Sequence, residues 1–391
     1  MNSSEHSSDK KAGKLTQPFF VNQYLKGEIQ SVSLPNGNGI LRIDNFVVFV
    51  PNTCTGDFVE IKIVEIKKKF ALGELVQVIQ PSIHRTKPLC PVFDICGGCL
   101  LQHVKYDEQL KIKQESISQS FRHLRREKLP IANIIASPRV WNYRNRIQLQ
   151  IKNSKLGYHK KLTHEFIEIK ECLIAETEIN RSLANINKVN SDRIEIALDQ
   201  EQKIHVGPSE KLAKHRLFSQ VNEPMNQIIK DWLQKKLNNE KPERFVDLYC
   251  GAGNFTFPLY DLFKNSLTQA IGIELSPTST QQASEFAQLN GYEICFTTGK
   301  VEKELNKVPR FTGTELFFLD PPRAGLDPHV VQELLRLRPN KIVYMSCNPS
   351  TLARDVGLLV QNSYLIDEIQ PFDMFPQTAH VECVAILSIA K

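Results

Sequence analysis

The chain has 391 residues, of which 41% are hydrophobic and 24% charged, with 18 glycines and 21 prolines. These ordinary fractions exclude a disordered or fibrous chain, and at about 100–200 residues per domain the length predicts two or three domains. The 49 Lys and Arg residues exceed the 43 Asp and Glu residues by a formal net charge of +6. This excess is compatible with a polyanionic partner but does not require one.

No run of residues reaches the roughly 20 apolar positions that a bilayer span needs. The N-terminal sequence, MNSSEHSSDKKAGK, is polar and lacks the apolar core of a signal peptide. We therefore expect a soluble, cytoplasmic protein with no membrane partner.

The first predicted elements are a flexible polar tail over residues 1–13 and a series of short β strands over residues 14–80. Apolar and charged residues alternate most clearly in FVEIKIVEI, and turn residues separate the strand-like runs. Four or five strands with no helix between them predict a small barrel of the oligonucleotide-binding type.

Residues 81–212 are predicted to form a central β-rich domain. A group of cysteines comes first, followed by a helical pattern from Tyr106 to Arg126. Three strand-like segments come next: RNRIQLQIK, HEFIEIKECLI and RIEIALD.

Residues 213–391 alternate between strand-like and helical patterns. The strand-like segments are RFVDLYC, AIGIEL, LFFLDPP and KIVYMSC. This alternation predicts an α/β domain built on a doubly wound parallel sheet of the Rossmann type.

Two of these strand ends have the pattern of a nucleoside site. The segment VDLYCGAGNF runs from a strand into a glycine-bearing turn, where the backbone can approach a ligand closely. The next strand ends at Glu274, which is well placed to hold the hydroxyl groups of a ribose. By spacing alone NAD fits nearly as well as other nucleoside cofactors, and ordinary strand-end turns are the alternative.

Asp320 and Cys347 follow the next two strands, at the edge where open α/β sheets bind ligands. Cys347 also precedes a predicted helix start, and a helix N-terminus lowers the pKa of a thiol. This position therefore favours a reactive thiolate, with a buried structural cysteine as the alternative.

Basic residues cluster between Lys105 and Lys128, and an aromatic residue, Tyr143, precedes Arg144 and Arg146. An RNA-binding surface and a solvated helix face explain the first cluster equally well. Arg144 and Arg146 are candidate RNA contacts.

Several long motifs together resemble one enzyme family. They are DLYCGAGNFTFPL, FLDPPRAGL, VYMSCNPSTLARD and DMFPQTAHVECVA, in this order. They closely resemble the S-adenosylmethionine-dependent RNA uracil-5-methyltransferases. The N-terminal segment resembles the TRAM domain, and CPVFDICGGCLLQH resembles the iron–sulfur segment of the family's ribosomal RNA members.

The resemblance covers nearly the whole chain after the tail and is closest to the TRAM-containing 23S ribosomal RNA 5-methyluridine enzymes. It implies a Rossmann-like methyltransferase domain, an N-terminal TRAM barrel and a central β-rich domain that holds an iron–sulfur cluster. The implied partner is 23S ribosomal RNA, and no obligate protein partner is evident.

The resemblance implies two catalytic residues. Cys347 matches the family's nucleophile, which adds to carbon 6 of uracil and so makes carbon 5 reactive. Glu382 matches the family's base, which removes the proton from carbon 5 after methyl transfer.

The family's S-adenosylmethionine contacts match Gln220, Tyr249, Asn254, Glu274 and Asp320. A further family contact, often Asn or Asp, falls at Lys300 or its neighbours, where this chain departs from the pattern.

The resemblance also implies four cluster ligands. Cys90, Cys96, Cys99 and the distant Cys172 match the family's thiolates for a 4Fe–4S cluster. The same four residues would suffice for tetrahedral zinc. Because methyl transfer needs no electron, a structural role or RNA positioning is expected rather than redox chemistry. All nine cysteines are expected to be thiols, ligands or catalytic groups rather than disulfides.

Three alternatives stay open. The first is a non-catalytic RNA-binding protein on the same scaffold, which loss of Cys347 or Glu382 would favour. The second is methylation of an amino nitrogen, suggested by Asp-Pro-Pro at a strand end, although that chemistry needs neither the thiol nor a carbon-proton base. The third is a transfer RNA substrate within the same family.

Overall fold

A computed structural model describes residues 19–44, 46–124, 129–161, 163–186, 191–199, 201–208, 212 and 220–390. The predicted tail over residues 1–13 lies outside the described residues, and so does the end of the predicted helix at Arg126. The chain divides into two compact units: the first ends at Arg85, and the second runs from Thr86 and also includes Leu34–Gly37.

The first unit is a six-stranded sheet. Its strands are β1 Tyr24–Glu28, β2 Ser31–Ser33, β3 Asn38–Ile43, β4 Phe46–Val50, β5 Phe58–Ile66 and β6 Phe70–Gln80. Their order is β1-β5-β6-β4-β3-β2, and every neighbouring pair is antiparallel except β4 with β6.

This sheet curls around a single apolar core. Strand β5 buries Val59, Ile61 and Ile63 completely, while the two residues between them stay partly exposed, as the alternating pattern predicts. Gly27 of β1 lies so close to Leu41 of β3 that an added Cβ would stand 2.6 Å from the Leu41 Cδ1 atom. The six strands of this unit exceed the four or five that the sequence predicts.

The second unit begins with the cysteine segment and helix α1, Tyr106–Phe121, which ends in a short 3-10 turn at Arg122–Leu124. A five-stranded antiparallel sheet follows, in the order β11-β10-β7-β8-β9. Its strands are β7 Arg146–Lys152, β8 Lys155–His159, β9 Phe166–Glu168, β10 Arg193–Leu198 and β11 Ile204–Gly207, with helix α2 Thr177–Leu183 between β9 and β10.

The C-terminal part is a seven-stranded sheet with helices between its strands. The strands are β12 Arg244–Leu248, β13 Gln269–Glu274, β14 Cys295–Thr298, β15 Glu315–Leu319, β16 Lys341–Ser346, β17 Tyr364–Phe372 and β18 Glu382–Ile389. The helices are α3 Glu223–Leu237, α4 Thr256–Phe263, α5 Pro277–Asn290, α6 Val301–Glu304, α7 Pro328–Leu337 and α8 Pro349–Gln361.

The sheet order is β14-β13-β12-β15-β16-β18-β17. The first five strands are parallel, which confirms the doubly wound prediction for that part. Strand β18 runs antiparallel between β16 and β17. The parallel-sheet prediction rested on four segments that form β12, β13, β15 and β16, and it did not include the last two strands, of which β18 alone is reversed. Strands β17 and β18 follow each other in the chain and are neighbours in the sheet. They form a hairpin-like pair, which needs no crossover helix.

Apolar cores cover both faces of this sheet, as expected for parallel strands. Phe245 of β12 belongs to one core and Val246 to the other. Helix α1 contributes Ile117 and Phe121 to the second of these cores, together with residues of α8. The helix therefore packs on the C-terminal sheet. In the described part of the chain, no helix is both long and apolar enough to cross a membrane.

Candidate active site and cysteine cavity

The carboxyl ends of the parallel strands surround a cavity of about 420 Å³, here called the strand-end cavity. Four of the five predicted cofactor residues line it: Gln220, Tyr249, Asn254 and Asp320. The structure thus brings together residues from three separate stretches of sequence. Gln220 lies just before α3, outside the glycine turn, so spacing within the turn could not have indicated it.

Positive φ angles and hydrogen bonds to Glu274 fix the conformation of the glycine turn. Tyr249, Gly251 and Gly253 have φ values of 65°, 56° and 97°, a region that favours glycine. The Glu274 carboxylate accepts hydrogen bonds from the backbone N–H groups of Gly251 at 3.0 Å and of Ser276 at 2.7 Å. Glu274 is absent from the residues that line the cavity and instead supports the turn.

Two polar residues at this site escaped the sequence analysis. Asn226 of α3 is fully buried, and its amide pairs reciprocally with that of Asn254 at 2.9 and 3.0 Å. Asp247 also lines the cavity, and its Oδ2 atom accepts a hydrogen bond from the Thr256 hydroxyl group at 2.6 Å, whereas its buried Oδ1 atom has no partner. A carboxylate inside the otherwise apolar segment RFVDLYC could have marked Asp247 as a candidate site residue. No comparable feature of the sequence marks Asn226.

Cys347 lies directly after β16, next to the start of α8. The side chain of Asn348 caps that helix by accepting a hydrogen bond from the Ser350 N–H group at 3.1 Å. Burial, with a smaller contribution from the charge of Glu382, raises the pKa of the Cys347 thiol to about 11, while Arg323 acts in the opposite direction. The expectation of a lowered pKa is therefore wrong, because desolvation outweighs the favourable charges.

Glu382 reaches the same place through strand pairing. Ser346 of β16 is the register partner of Cys383 of β18. Cys347 directly follows Ser346, and Glu382 directly precedes Cys383 at the start of β18. The antiparallel register therefore brings Cys347 and Glu382 side by side. Glu382 is 5% exposed, and burial, followed by the charge of Asp320, raises its pKa well above the usual value.

Asp320 links the thiol and carboxyl pair to the strand-end cavity. It follows β15, and burial together with the charge of Glu274 raises its pKa to about 7. Its charge also raises the pKa of Cys347 and Glu382. The site therefore disfavours negative charge when no cation is bound there.

Arg323 and His380 border this group. The Arg323 Nη2 atom lies 3.2 Å from the His380 Nδ1 atom. Burial and the nearby positive charges lower the pKa of His380 to about 4, so its imidazole is neutral at pH 7. Lys300, at the position of the family's further cofactor contact, is absent from the residues that line the strand-end cavity. It directly precedes α6, and its side chain is 59% exposed and lies 3.8 Å from a carboxylate oxygen of Glu302.

A second cavity, of about 490 Å³, is lined by all four of the predicted ligand cysteines: Cys90, Cys96, Cys99 and Cys172. They are free thiols, and burial raises the pKa of Cys99 to about 12. The Gly98 N–H group donates a hydrogen bond to the Cys96 sulfur at 3.4 Å. Within the described ranges, no three His, Cys, Asp or Glu side chains are grouped closely enough to hold a metal ion as they stand.

The two predicted RNA-contact arginines line this cysteine cavity. The Nε atom of Arg144 is buried there without a hydrogen-bond partner. Arg146 lines both the cysteine cavity and the strand-end cavity. The two cavities are therefore neighbours within the second unit.

Two family models match the chain. Residues 142–390 match the tRNA (uracil-5-)-methyltransferase family, and residues 18–76 match the TRAM domain. The two matches fall in the second and the first compact unit, respectively.

Curated relatives and solved structures agree with these matches. An uncharacterized RNA methyltransferase of Bdellovibrio bacteriovorus is 34% identical, over 93% of this chain and 95% of the relative. Another, of Synechocystis sp., is 31% identical over 90% of this chain and 93% of the relative.

Among solved structures, the Pyrococcus abyssi tRNA (uracil-54, C5)-methyltransferase in complex with S-adenosyl-L-homocysteine has a similar fold. Its TM-score is 0.70 at 23% identity, and the match covers 93% of this chain and 100% of that one. The family match extends over most of the chain and includes the strand ends that carry Asp320, Cys347 and Glu382. The chain is accordingly a member of the tRNA (uracil-5-)-methyltransferase family of RNA methyltransferases, in a form that carries a TRAM domain.

Proposed function

We propose that this protein transfers a methyl group from S-adenosylmethionine to carbon 5 of a specific uridine in 23S ribosomal RNA. The observation that carries the proposal is the pairing of β16 with β18, which sets Cys347 beside Glu382. Amino-nitrogen methylation needs no such pair, and a non-catalytic RNA-binding protein would have no use for it.

Cys347 is the proposed nucleophile. Its sulfur forms a bond to carbon 6 of uracil, and the electron pair of the carbon 5–carbon 6 double bond moves to the carbonyl group at carbon 4 as an enolate. Carbon 5 thereby becomes nucleophilic. S-Adenosylmethionine, when bound, supplies the methyl group and a sulfonium cation whose charge favours the ionised forms of the thiol and the nearby carboxyl groups.

Glu382 is the proposed base for the closing step. Its carboxylate takes the proton from carbon 5, and the electrons of that C–H bond restore the double bond while the carbon 6–sulfur bond breaks. The products are 5-methyluridine, S-adenosylhomocysteine and free Cys347, with the carbon 5 proton on Glu382. A carboxylate that burial has made more basic suits this task, because a carbon-bound proton is weakly acidic.

The strand-end cavity is the proposed S-adenosylmethionine site. Gln220, Tyr249, Asn254 and Asp320 would contact the cofactor, and Glu274 would support the turn and the ribose. The S-adenosyl-L-homocysteine found in the Pyrococcus abyssi enzyme supports this assignment. The unpartnered Asp247 oxygen adds an acceptor on the cavity wall.

We further propose that Cys90, Cys96, Cys99 and Cys172 hold a 4Fe–4S cluster in a structural role. Three features support it: four thiols on one cavity, an N–H donor to the Cys96 sulfur, and the unpartnered Arg144 Nε atom, which suits an anionic group. The same four thiols would also suffice for a single tetrahedral zinc ion, and metal analysis distinguishes the two groups.

Protein purified without oxygen should therefore be brown and contain about four irons per chain. Cys96→Ser should lower the iron content and the stability before it affects S-adenosylmethionine binding. Colourless protein with one zinc per chain would contradict the cluster assignment.

The choice of 23S ribosomal RNA is supported by the TRAM match and by the resemblance of the cysteine segment to ribosomal RNA enzymes. Transfer RNA is the second candidate, favoured by the substrate of the Pyrococcus abyssi enzyme. Arg146, on the wall shared by the two cavities, remains a proposed RNA contact.

We also propose that the domains divide near residues 80 and 212. We further propose that the enzyme works in the cytoplasm, where free thiols persist.

The test is to map 5-methyluridine in ribosomal and transfer RNA from cells that lack this gene and from the same cells with the gene restored. We expect a 23S ribosomal RNA position to lose its methyl group and regain it on complementation. Loss confined to transfer RNA would transfer the assignment to the second candidate, and no change in either RNA would contradict uracil methylation. A strain that carries Cys347→Ala serves as the matched control for a purely structural contribution of the protein.

A further inference from the structure

The loop that leads into Glu382, residues 373–381 (the catalytic loop), is held by side chains from other parts of the second unit. Three successive carbonyl groups of the loop each accept a hydrogen bond at 3.0 Å: Met374 from Asn222, Phe375 from Lys113 and Pro376 from Tyr143. Lys113 of α1 also forms an ion pair at 2.5 Å with Asp373, and both side chains are 0% exposed. Helix α1 therefore anchors the start of the loop.

The next residue of the loop, Gln377, contacts the segment that carries the cysteines. Its carbonyl oxygen accepts hydrogen bonds from the backbone N–H groups of Leu100 at 3.1 Å and Leu101 at 3.0 Å. These two residues directly follow Cys99 in the chain. The segment of residues 90–101 (the cysteine loop) and the catalytic loop are thus joined by their backbones.

One side chain contacts both loops. The Gln109 Oε1 atom accepts a hydrogen bond from the Gln377 N–H group at 3.0 Å. The Gln109 Nε2 atom donates to the Gln377 Oε1 atom at 3.0 Å and to the Leu101 carbonyl oxygen at 3.0 Å. Gln109 is 1% exposed and Gln377 is 4% exposed, so water cannot readily replace these bonds.

We propose that Gln109 is a positioning residue that couples the cysteine loop to the catalytic base. Strand pairing places Glu382 beside Cys347. By fixing Gln377, Gln109 holds the segment that leads into Glu382 and so limits the movement of its carboxylate. A group bound by the four cysteines would hold Leu100 and Leu101 in place, and these two residues in turn bind the Gln377 carbonyl group. This inference rests on the proposed function, because it needs Glu382 to act as the base.

The coupling predicts an effect on one step of the reaction. Cys347 and the strand-end cavity belong to strand ends that do not contact Gln109, so addition and methyl transfer keep their geometry. Proton removal depends on the reach of Glu382, and a displacement of about 1 Å can slow a step by as much as about 100-fold. A loosened catalytic loop should therefore accumulate the methylated covalent protein–RNA complex.

The test compares Gln109→Met with Gln114→Met. Methionine keeps the volume of the side chain and removes its hydrogen bonds. Gln114 lies on the same helix and uses both ends of its amide in the same way, with the Ala132 carbonyl group at 3.1 Å and the Ile134 N–H group at 2.8 Å. Its hydrogen bonds go to neither loop, so this partly buried residue controls for the loss of a hydrogen-bonded glutamine from α1.

Each variant is mixed with substrate RNA and S-adenosylmethionine at matched iron content, and the covalent complex is followed over time on denaturing gels. For Gln109→Met we expect the complex to decay about tenfold more slowly than in the unmutated enzyme, with unchanged S-adenosylmethionine affinity. Gln114→Met should lose similar thermal stability and show normal decay. Equal decay in Gln109→Met and the unmutated enzyme, or equal slowing in both variants, overturns the coupling.

Two further samples separate the possible failures. Glu382→Gln must accumulate the complex. If Glu382→Gln accumulates no complex, the proposed mechanism fails and the coupling fails with it. If Glu382→Gln accumulates the complex but Gln109→Met releases it at the normal rate, only the coupling is overturned. Gln377→Asn suits the φ of 67° at this position and shortens the side chain that accepts a hydrogen bond from the Gln109 Nε2 atom. It replaces Gln109→Met if the latter does not fold, with slowing expected in the same direction.

Discussion

Cys347 is held as a thiol in the unliganded protein. Burial raises its pKa to about 11, and the charges of Glu382 and Asp320 act in the same direction. In the proposed mechanism, the sulfonium charge of S-adenosylmethionine would favour the loss of the thiol proton. We therefore propose that thiolate formation is linked to cofactor binding, which would limit side reactions of this partly buried cysteine.

The ionisation of Cys347 can be measured by alkylation with iodoacetamide, using Cys347→Ala to subtract the other cysteines. Because only the thiolate reacts, the rate in the free enzyme should rise about tenfold per pH unit from pH 7 to 10. S-Adenosylmethionine should shift the profile to lower pH, whereas S-adenosylhomocysteine, which lacks the sulfonium charge, should not. A rate that levels off by pH 8 without ligand would show that the thiolate is preformed.

Individual site residues differ in how far sequence could identify them. Cys347, Glu382 and Asp320 lie in contiguous motifs that indicate them directly. Gln220 lies outside these motifs, and only the family resemblance identified it. Asn226 and Gln109 lie in ordinary amphipathic helices, and their importance comes from partners far away in the chain: Asn254 and Gln377. A hydrogen bond between distant residues leaves no local pattern, and for this reason neither was predicted.

Among the secondary-structure elements, β18 is the one that assembles the site. Parallel strands can be predicted from their alternation with helices, but the position of a last antiparallel strand in the sheet cannot be read from periodicity. Its insertion between β16 and β17 is what brings Glu382 to Cys347. The two catalytic motifs were identified from sequence, whereas their proximity is a property of strand order.

Helix α1 was expected to belong to the central β-rich region, yet it packs on the C-terminal sheet. Ile117 and Phe121 share a core with Leu352 and Val356 of α8. The amphipathic pattern predicted the helix correctly and could not specify which sheet would receive its apolar face. The packing gives α1 a rigid support from which Gln109 and Lys113 reach the catalytic loop.

This packing predicts a large effect of truncating Phe121. Its side chain is 0% exposed, so Phe121→Ala should lower the free energy of unfolding by about 3–5 kcal/mol. Leu289→Ala, at a side chain that is 85% exposed, is the control and should change it by less than about 0.5 kcal/mol. Urea denaturation followed by circular dichroism measures both, and a similar stability of the two variants would contradict the packing of α1.

At the scale of the whole molecule, the chain combines two compact units with separate cores. The first unit matches the TRAM domain and contains none of the proposed catalytic or cofactor residues. The net charge of +6 did not by itself indicate RNA, because many enzymes with neutral substrates have the same excess. The match to the TRAM domain is therefore the observation that indicates an RNA-binding role for the first unit.

Removal of residues 1–85 should therefore weaken RNA binding and leave S-adenosylmethionine binding intact. RNA affinity should fall, and its dependence on salt should become shallower, because fewer phosphate contacts remain. Filter binding at several salt concentrations, with calorimetry for the cofactor, measures the two affinities. An unchanged RNA affinity would show that the first unit makes no contribution to substrate binding.

The central claim is a covalent pathway in which Cys347 adds to uracil and Glu382 releases it. The most direct measurement is denaturing electrophoresis of labelled substrate RNA with the unmutated enzyme, Cys347→Ala and Glu382→Gln. We expect Glu382→Gln to form a methylated protein–RNA complex that survives denaturation and maps to the peptide of Cys347, and Cys347→Ala to form none. Normal turnover by Glu382→Gln, or a complex that persists in Cys347→Ala, would contradict the account.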